Sequence, residues 1–251
     1  MLQFPATKRP LFGVSHIMAI ASGKGGVGKT TVAVNLALGL ARAGAAVGLY
    51  DADLYGPNVP LMLGITRKQS VPDFVPMARA DTTPYIPPIE RFGLKVMSIG
   101  FLMGTDDAVT PPPNAAGDII RQTLQDVKWG VLDYLLIDLP PGTGEPQRTL
   151  LETIPIAGVV LVTTPQDLAL MDASRSLAFF RSNAAPVLGV VENMSYVQCP
   201  HCGEIIEVFH RSKRRYAIAD DEVELLGRIP LHLAVSQGID ANHPLVQKRT
   251  T

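Results

Sequence analysis

Lys29 and Thr30 close the string Gly23-Lys24-Gly25-Gly26-Val27-Gly28-Lys29-Thr30, which meets the pattern G-x-x-x-x-G-K-[ST] without a mismatch. Glycines at these spacings let the backbone wrap closely, with N–H groups turned inward toward an anion. A lysine at the end of such a loop pairs with the β- and γ-phosphates of a nucleotide, and the hydroxyl after it holds Mg²⁺. Gly23 to Thr31 are therefore the candidate nucleotide-binding residues. Asp138 ends the apolar run Leu135-Leu136-Ile137, the form in which a carboxylate at a strand end holds a Mg²⁺-bound water. Asp51 and Asp53 follow a second apolar run. Asp53 is expected to orient or deprotonate the attacking water, and Asp51 to support the Mg²⁺ shell, which makes the magnesium set Thr30, Asp51 and Asp138.

These residues need elements to hold them. Ile17 to Ser22 is an apolar run of strand length directly before the glycines, and Val32 to Arg42 is rich in Ala and Leu and of helix length. Gly44 is a helix stop. Ala46 to Tyr50 then reads as a second buried strand, and strand, helix, strand at this spacing is a βαβ unit that implies a parallel sheet. Further strands are expected at Leu94–Ile99, Tyr134–Ile137, Gly158–Val162, Pro186–Val191 and Leu225–Ile229. Helices are expected at Val59–Leu63, Ile119–Val127 and Asp167–Arg181, the last with Leu168, Met171, Leu177 and Phe180 toward the core. In open sheets of this kind ligands sit outside the carboxyl ends of the strands. Asp51, Asp53, Asp138, Glu192 and Asn193 all fall there. The expected architecture is a single-domain P-loop NTPase, a mostly parallel sheet between helices in three layers (α/β/α), over residues 16–251. A loosely ordered arm precedes it over residues 1–15, and a hairpin interrupts it at about 195–210.

A chain of 251 residues with 47% hydrophobic and 18% charged residues can bury one large core. A net charge of −1 gives no general attraction to nucleic acid or anionic membrane. No apolar run reaches spanning length and no signal pattern opens the chain, so a cytoplasmic protein without membrane or nucleic-acid partners is expected. The only two cysteines, Cys199 and Cys202, form one C-x-x-C. In a reducing compartment such a pair reads as a metal or redox site rather than a disulfide. Zinc and four-iron clusters take four protein ligands. Two thiolates from each chain of a two-fold dimer would complete such a site. The residue types do not separate iron from zinc, and a thiol pair without metal is the third reading.

The loop GKGGVGKT, with its additional Lys24, resembles the deviant Walker A loop of MinD/ParA ATPases. That resemblance implies an ATP-dependent homodimer in which Lys24 reaches the nucleotide of the facing subunit, giving Lys24, Lys29 and Asp53 as the catalytic set. Longer strings are more selective. The stretch Asp51 to Pro60 reads DADLYGPNVP, Ile137 to Gly144 reads IDLPPGTG, Thr163 to Asp167 reads TTPQD, and Val191 to Tyr196 reads VENMSY before Cys199-Pro200-His201-Cys202-Gly203. Together they resemble the Mrp/ApbC family, cytosolic ATPases that carry or deliver iron–sulfur clusters. The resemblance implies ATP and Mg²⁺, slow ATP hydrolysis, and a 4Fe-4S cluster bridging two subunits through Cys199 and Cys202. It further implies client apoproteins, and adenine contacts from Asn193 and the Arg228-Ile229-Pro230 turn. Two stretches, Ala108 to Asn114 and Phe209 to Arg215, depart from the family's pattern. Two other functions compete. One is a MinD/ParA-type positioning ATPase, against which stand the C-x-x-C and the lack of a basic amphipathic helix over Ala241 to Thr251. The other is a nucleotide-gated regulatory protein with an interfacial zinc.

Overall fold

Continuous apolar runs, rather than alternating ones, mark strands covered on both faces, and they form the spine of this chain. The computed structural model describes residues 8–66, 85–101, 115–209, 223–244 and 246. In chain order the strands are β1 (Val14–Ser22), β2 (Val47–Asp51), β3 (Ile89–Arg91), β4 (Leu94–Ser98), β5 (Leu132–Asp138), β6 (Gly158–Thr163), β7 (Val187–Glu192), β8 (Val197–Gln198), β9 (Ile205–Ile206) and β10 (Leu225–Arg228). Eight of them form one sheet in the order β10-β7-β6-β1-β5-β2-β4-β3, and β8 and β9 pair separately. Every pairing in the large sheet is parallel except that of β3, which runs antiparallel to β4 at the edge. β2 and β6 are buried along their whole length, which is why neither shows polar alternation.

The helices are α1 (Lys29–Arg42), α2 (Val59–Met62), α3 (Ala116–Asp126), α4 (Glu145–Thr153), α5 (Asp167–Ser182) and α6 (Leu233–Asp240). α1 ends where Gly44 turns left-handed at φ 96 and the Ala45 N–H closes on the Leu40 carbonyl at 3.1 Å, a glycine stop of the ordinary kind. None of the helices among the described residues is long and apolar enough to cross a membrane. Register places the chemistry. In the β2–β5 pairing Asp51 lies beside Asp138, and in the β1–β5 pairing Asp138 lies beside Ile20, three residues before Gly23.

Several elements differ from the sequence reading. β1 begins at Val14, paired with Leu132, so the expected boundary between arm and domain falls inside a strand. Its first half looks like a loop in sequence because Ser15 and His16 are exposed at the sheet's end. β3, α4 and α6 were not expected. α4 opens Glu145-Pro146, and a proline in the first turn costs a helix nothing because no intrahelical bond uses its missing N–H. In α5, Leu177 and Phe180 are buried, but Leu168 is 66% exposed and Met171 only half-buried. Small residues, Ala169, Ala173 and Ser176, face inward instead. The segment Ala108 to Asn114 and residues 210–215 lie outside the described residues.

Leu135 sits in β5, between β1 and β2, and is fully buried. Leu135→Ala is expected to cost about 2–5 kcal/mol, loss of transfer energy plus a residual cavity. Urea unfolding should show a lower midpoint with an unchanged slope.

Candidate nucleotide site and cysteine hairpin

The loop leaves β1 at Ser22 and enters α1 at Lys29. Gly26 and Gly28 both sit at φ 81, a left-handed conformation that side chains with a Cβ rarely adopt. Gly28 is the N-cap of α1, and neither a side-chain cap nor an acidic first-turn residue occupies that end. The unpaired N–H groups and the dipole there favour an anion. Gly23 is needed for a different reason. A Cβ on it would lie 2.2 Å from the backbone carbonyl carbon of Asp172, so the loop packs on the backbone of α5. Asn193 props the other side, its side-chain amide donating to the Val27 carbonyl at 2.8 Å.

Charge is concentrated behind the loop. Lys29 is 6% exposed, with its Nζ 2.7 Å from Asp138 Oδ1 and 3.7 Å from Asp53 Oδ2. The Thr30 hydroxyl donates to Asp138 Oδ2 at 2.7 Å. Asp51 is fully buried and accepts from the Asp53 N–H at 3.3 Å, the Val59 N–H at 3.1 Å and the Ser98 hydroxyl at 3.0 Å. Burial pushes the Asp51 carboxyl well above the ordinary carboxylate range, and Asp138 beside it pushes it further. Burial also raises Asp138, with Lys29 and the Thr30 hydroxyl opposing in part. Burial likewise raises Asp53, with Lys29 opposing.

A cleft of about 310 Å³ opens over this cluster, lined by Lys24, Thr30, Asp53, Pro141, Leu61 and Ile239 among others. Sequence reasoning missed Leu61 and Ile239 as site residues. The signal for Ile239 was the α6 helix itself, obscured by Gly238 within it. Lys24 is half-buried and donates to Gln166 Oε1 at 3.3 Å. Asp51, Asn193, Arg228 and Pro230 do not line the cleft. Arg228 instead binds Glu192 at 3.1 Å, Ser195 at 2.7 Å and Glu207 at 3.2 Å.

Cys199 and Cys202 lie on the turn that joins β8 to β9. The turn is closed by the Cys199 N–H to the Glu204 carbonyl at 2.8 Å and the Gly203 N–H to the Cys199 carbonyl at 2.9 Å. Both thiols are free, Cys199 partly buried and Cys202 exposed. Backbone N–H groups of Cys202 and His201 directed at the Cys199 sulfur lower its pKa, which favours the thiolate. Among the described residues, no third His, Cys, Asp or Glu joins them in a metal-holding group.

The family model described as ParA: NUBPL iron-transfer P-loop NTPase matches residues 13–251. The chain belongs to this family. An "Iron-sulfur cluster carrier protein" of Haemophilus influenzae is 44% identical over 243 residues, 96% of this chain and 62% of that protein. The chain thus spans less than two thirds of the length of that relative. Among solved structures, a nucleotide-binding protein of Archaeoglobus fulgidus in complex with ADP, with cobalt found in it, is 34% identical with a TM-score of 0.76, covering 95% of this chain and 90% of that one. The cell division ATPase MinD of Pyrococcus furiosus is 26% identical with a TM-score of 0.62, covering 94% and 91%. The family's P-loop NTPase fold is therefore the fold found here, with the mostly parallel sheet expected from the sequence.

Gly23→Ala places a methyl group inside the backbone of α5. It is expected to lower the melting temperature and to weaken nucleotide binding at least tenfold, as the loop is forced off the helix. Differential scanning fluorimetry with and without Mg²⁺–ADP reads both effects.

Proposed function

We propose that the chain is an ATP-hydrolysing iron–sulfur carrier that holds its cargo between two copies of itself. The observation that carries this reading is the free, exposed C-x-x-C hairpin in a member of an iron-transfer NTPase family. Two thiolates are half of a four-ligand set, and a two-fold axis supplies the other half with the same residues. The cargo on this reading is a 4Fe-4S cluster, and the partners are a second copy and apoproteins that receive the cluster. Zinc is the competing occupant. A cytoplasmic location suits both thiol chemistry and ATP supply.

In the nucleotide site Lys29 pairs with the β- and γ-phosphates. The loop N–H groups and the start of α1 cradle the remaining negative charge. The oxygens of Thr30 and Asp138 suit a hard divalent cation; these residues would hold Mg²⁺, which would supply positive charge against the phosphates. Asp51 braces the Asp53 and Val59 backbone from behind. Asp53, at the rim of the cleft, orients the attacking water. Lys24 leaves Gln166 and contacts the nucleotide of the facing chain. Asn193 serves the nucleotide by fixing the loop. A positioning role like that of MinD remains the second reading. It shares the fold, but it leaves the cysteine hairpin without a task.

Anaerobic reconstitution with iron and sulfide should give an absorption spectrum of a bound cluster, about four irons per dimer. Cys199→Ser and Cys202→Ser should each lose it while binding nucleotide normally. Zinc retained to the exclusion of iron would move the chain to the regulatory reading.

Asp53→Asn is expected to bind Mg²⁺–ATP with wild-type affinity and to hydrolyse it about 100-fold more slowly, since the water loses its orienting carboxylate. Lys24→Ala should also bind ATP and turn over poorly. Mixing the two variants should restore part of the phosphate release, because one composite site in a mixed dimer keeps both groups. No recovery in mixtures shown to contain the mixed dimer would assign Lys24 to its own chain's site.

A further inference from the structure

Four residues at the end of β7, Glu192 to Ser195, connect the two halves of this chemistry. Asn193 is held at the phosphate loop by its bond to the Val27 carbonyl. Ser195 and Glu192, on either side of it, are both bound by the Arg228 Nε, at 2.7 Å and 3.1 Å. Backbone bonds fix the same turn. The Asn193 N–H reaches the Thr163 carbonyl at 2.8 Å, the Ser195 N–H the Ile229 carbonyl at 2.8 Å, and the Ile229 N–H the Glu192 carbonyl at 2.9 Å. Between the two pinned ends, Met194 sits at φ 52. A non-glycine residue there is held against its preference and persists only where its surroundings over-determine it. From Arg228 the connection continues outward. Its Nη2 binds Glu207 Oε1 at 3.2 Å, and Glu207 directly follows β9, the second strand of the cysteine hairpin. The first strand is tied in as well, since the Leu231 N–H binds the Tyr196 carbonyl at 2.8 Å and the Arg228 guanidinium lies 5.4 Å from the Tyr196 ring centroid.

We infer that Arg228 is a positioning residue that transmits the state of the phosphate loop to the cysteine hairpin through the strained Glu192–Ser195 turn. Nucleotide and cluster then bind with mutual dependence. This rests on the reading of the hairpin as a cluster site. The physical basis is a short segment with one strained residue, gripped at Asn193 by the nucleotide loop and at both ends by an arginine that also grips the hairpin. A shift of the Val27 carbonyl on nucleotide binding loads or releases Asn193. The turn relaxes by moving Glu192 and Ser195 against Arg228, and Glu207 follows. Reciprocity then requires the cluster to change nucleotide affinity by the same factor by which nucleotide changes cluster affinity.

The test measures that factor in the full chain. Affinity for a fluorescent ADP analogue with Mg²⁺ is determined for the apo protein and for protein loaded anaerobically with iron and sulfide. The wild type is expected to show a ratio of fivefold or more. Glu207→Ala removes the outer link to Arg228. It should keep the wild-type apo affinity within twofold, keep the apo melting temperature and take up the same iron, while its ratio falls below twofold. Met194→Gly removes the strain within the turn and should reduce the ratio in the same way; it decides the matter if Glu207→Ala does not load. A ratio that stays at the wild-type value in the loaded variants overturns the route. A wild type that loads cluster but shows a ratio of one overturns the coupling and leaves the carrier reading intact. A wild type that loads no cluster overturns the carrier reading itself.

Discussion

One buried ammonium faces two carboxyl groups, and a third lies beside them. Lys29 is in contact with Asp138 and near Asp53, and Asp51 lies beside Asp138 in the register of β2 and β5. The parallel pairing that buries Leu49, Tyr50, Leu136 and Ile137 also brings these strand ends together, so hydrophobic packing drives like charges into one place. Two buried carboxylates side by side cannot both ionise cheaply. The lysine and the threonine hydroxyl supply the compensation at Asp138, and backbone N–H groups with the Ser98 hydroxyl supply it at Asp51. A triphosphate with a divalent cation changes that balance in one step. On the proposed reading it would supply negative charge to Lys29 and positive charge to the carboxylates, so the metal-bound nucleotide would be favoured over either component alone.

The mode of burial decided which parts of this could be read from the sequence. β2 and β6 are covered on both faces, as is β5 from Leu135 onward, so each appears there as an unbroken apolar run ending at a polar residue. The phosphate loop was legible because its glycines answer to backbone geometry, which leaves little choice of residue type. The first three residues of β1 were not legible, since two of them are exposed at the sheet's end. α4 was masked by a proline that is harmless where it stands. Leu168 was placed inward because helical spacing favours it, but the inner face of α5 must be small to let the loop approach. No one-residue pattern can carry that information.

Arg228 illustrates a subtler limit. Family likeness assigned it to the base of the nucleotide, and its neighbours Asn193 and Pro230 with it. The structure gives the guanidinium to Glu192, Ser195 and Glu207. An arginine with several donors in a fixed fork can link partners from separate segments, and the partners lie up to 36 residues apart in sequence. Such a hub leaves no local trace. The cysteine hairpin is the opposite case, because two cysteines in the whole chain, two residues between them, announce themselves. What the sequence could not supply was the surface around them. Ile205 and Ile206 stand 58% and 50% exposed on a ribbon of only two strands, a length that packs poorly by itself.

The contact between Gly23 and α5 has a consequence for how this chain can vary. The atoms that a side chain at position 23 would strike are the carbonyl carbon and oxygen of Asp172 and the nitrogen of Ala173. All of them belong to the backbone. Shrinking either neighbouring residue therefore makes no room, and no single replacement elsewhere on the helix can compensate. Most tight positions in a protein are conditional, open to change once a neighbour has changed first. This one is unconditional. Whatever else drifts in the chain, position 23 stays closed to any residue larger than glycine until the whole helix is carried away from the loop.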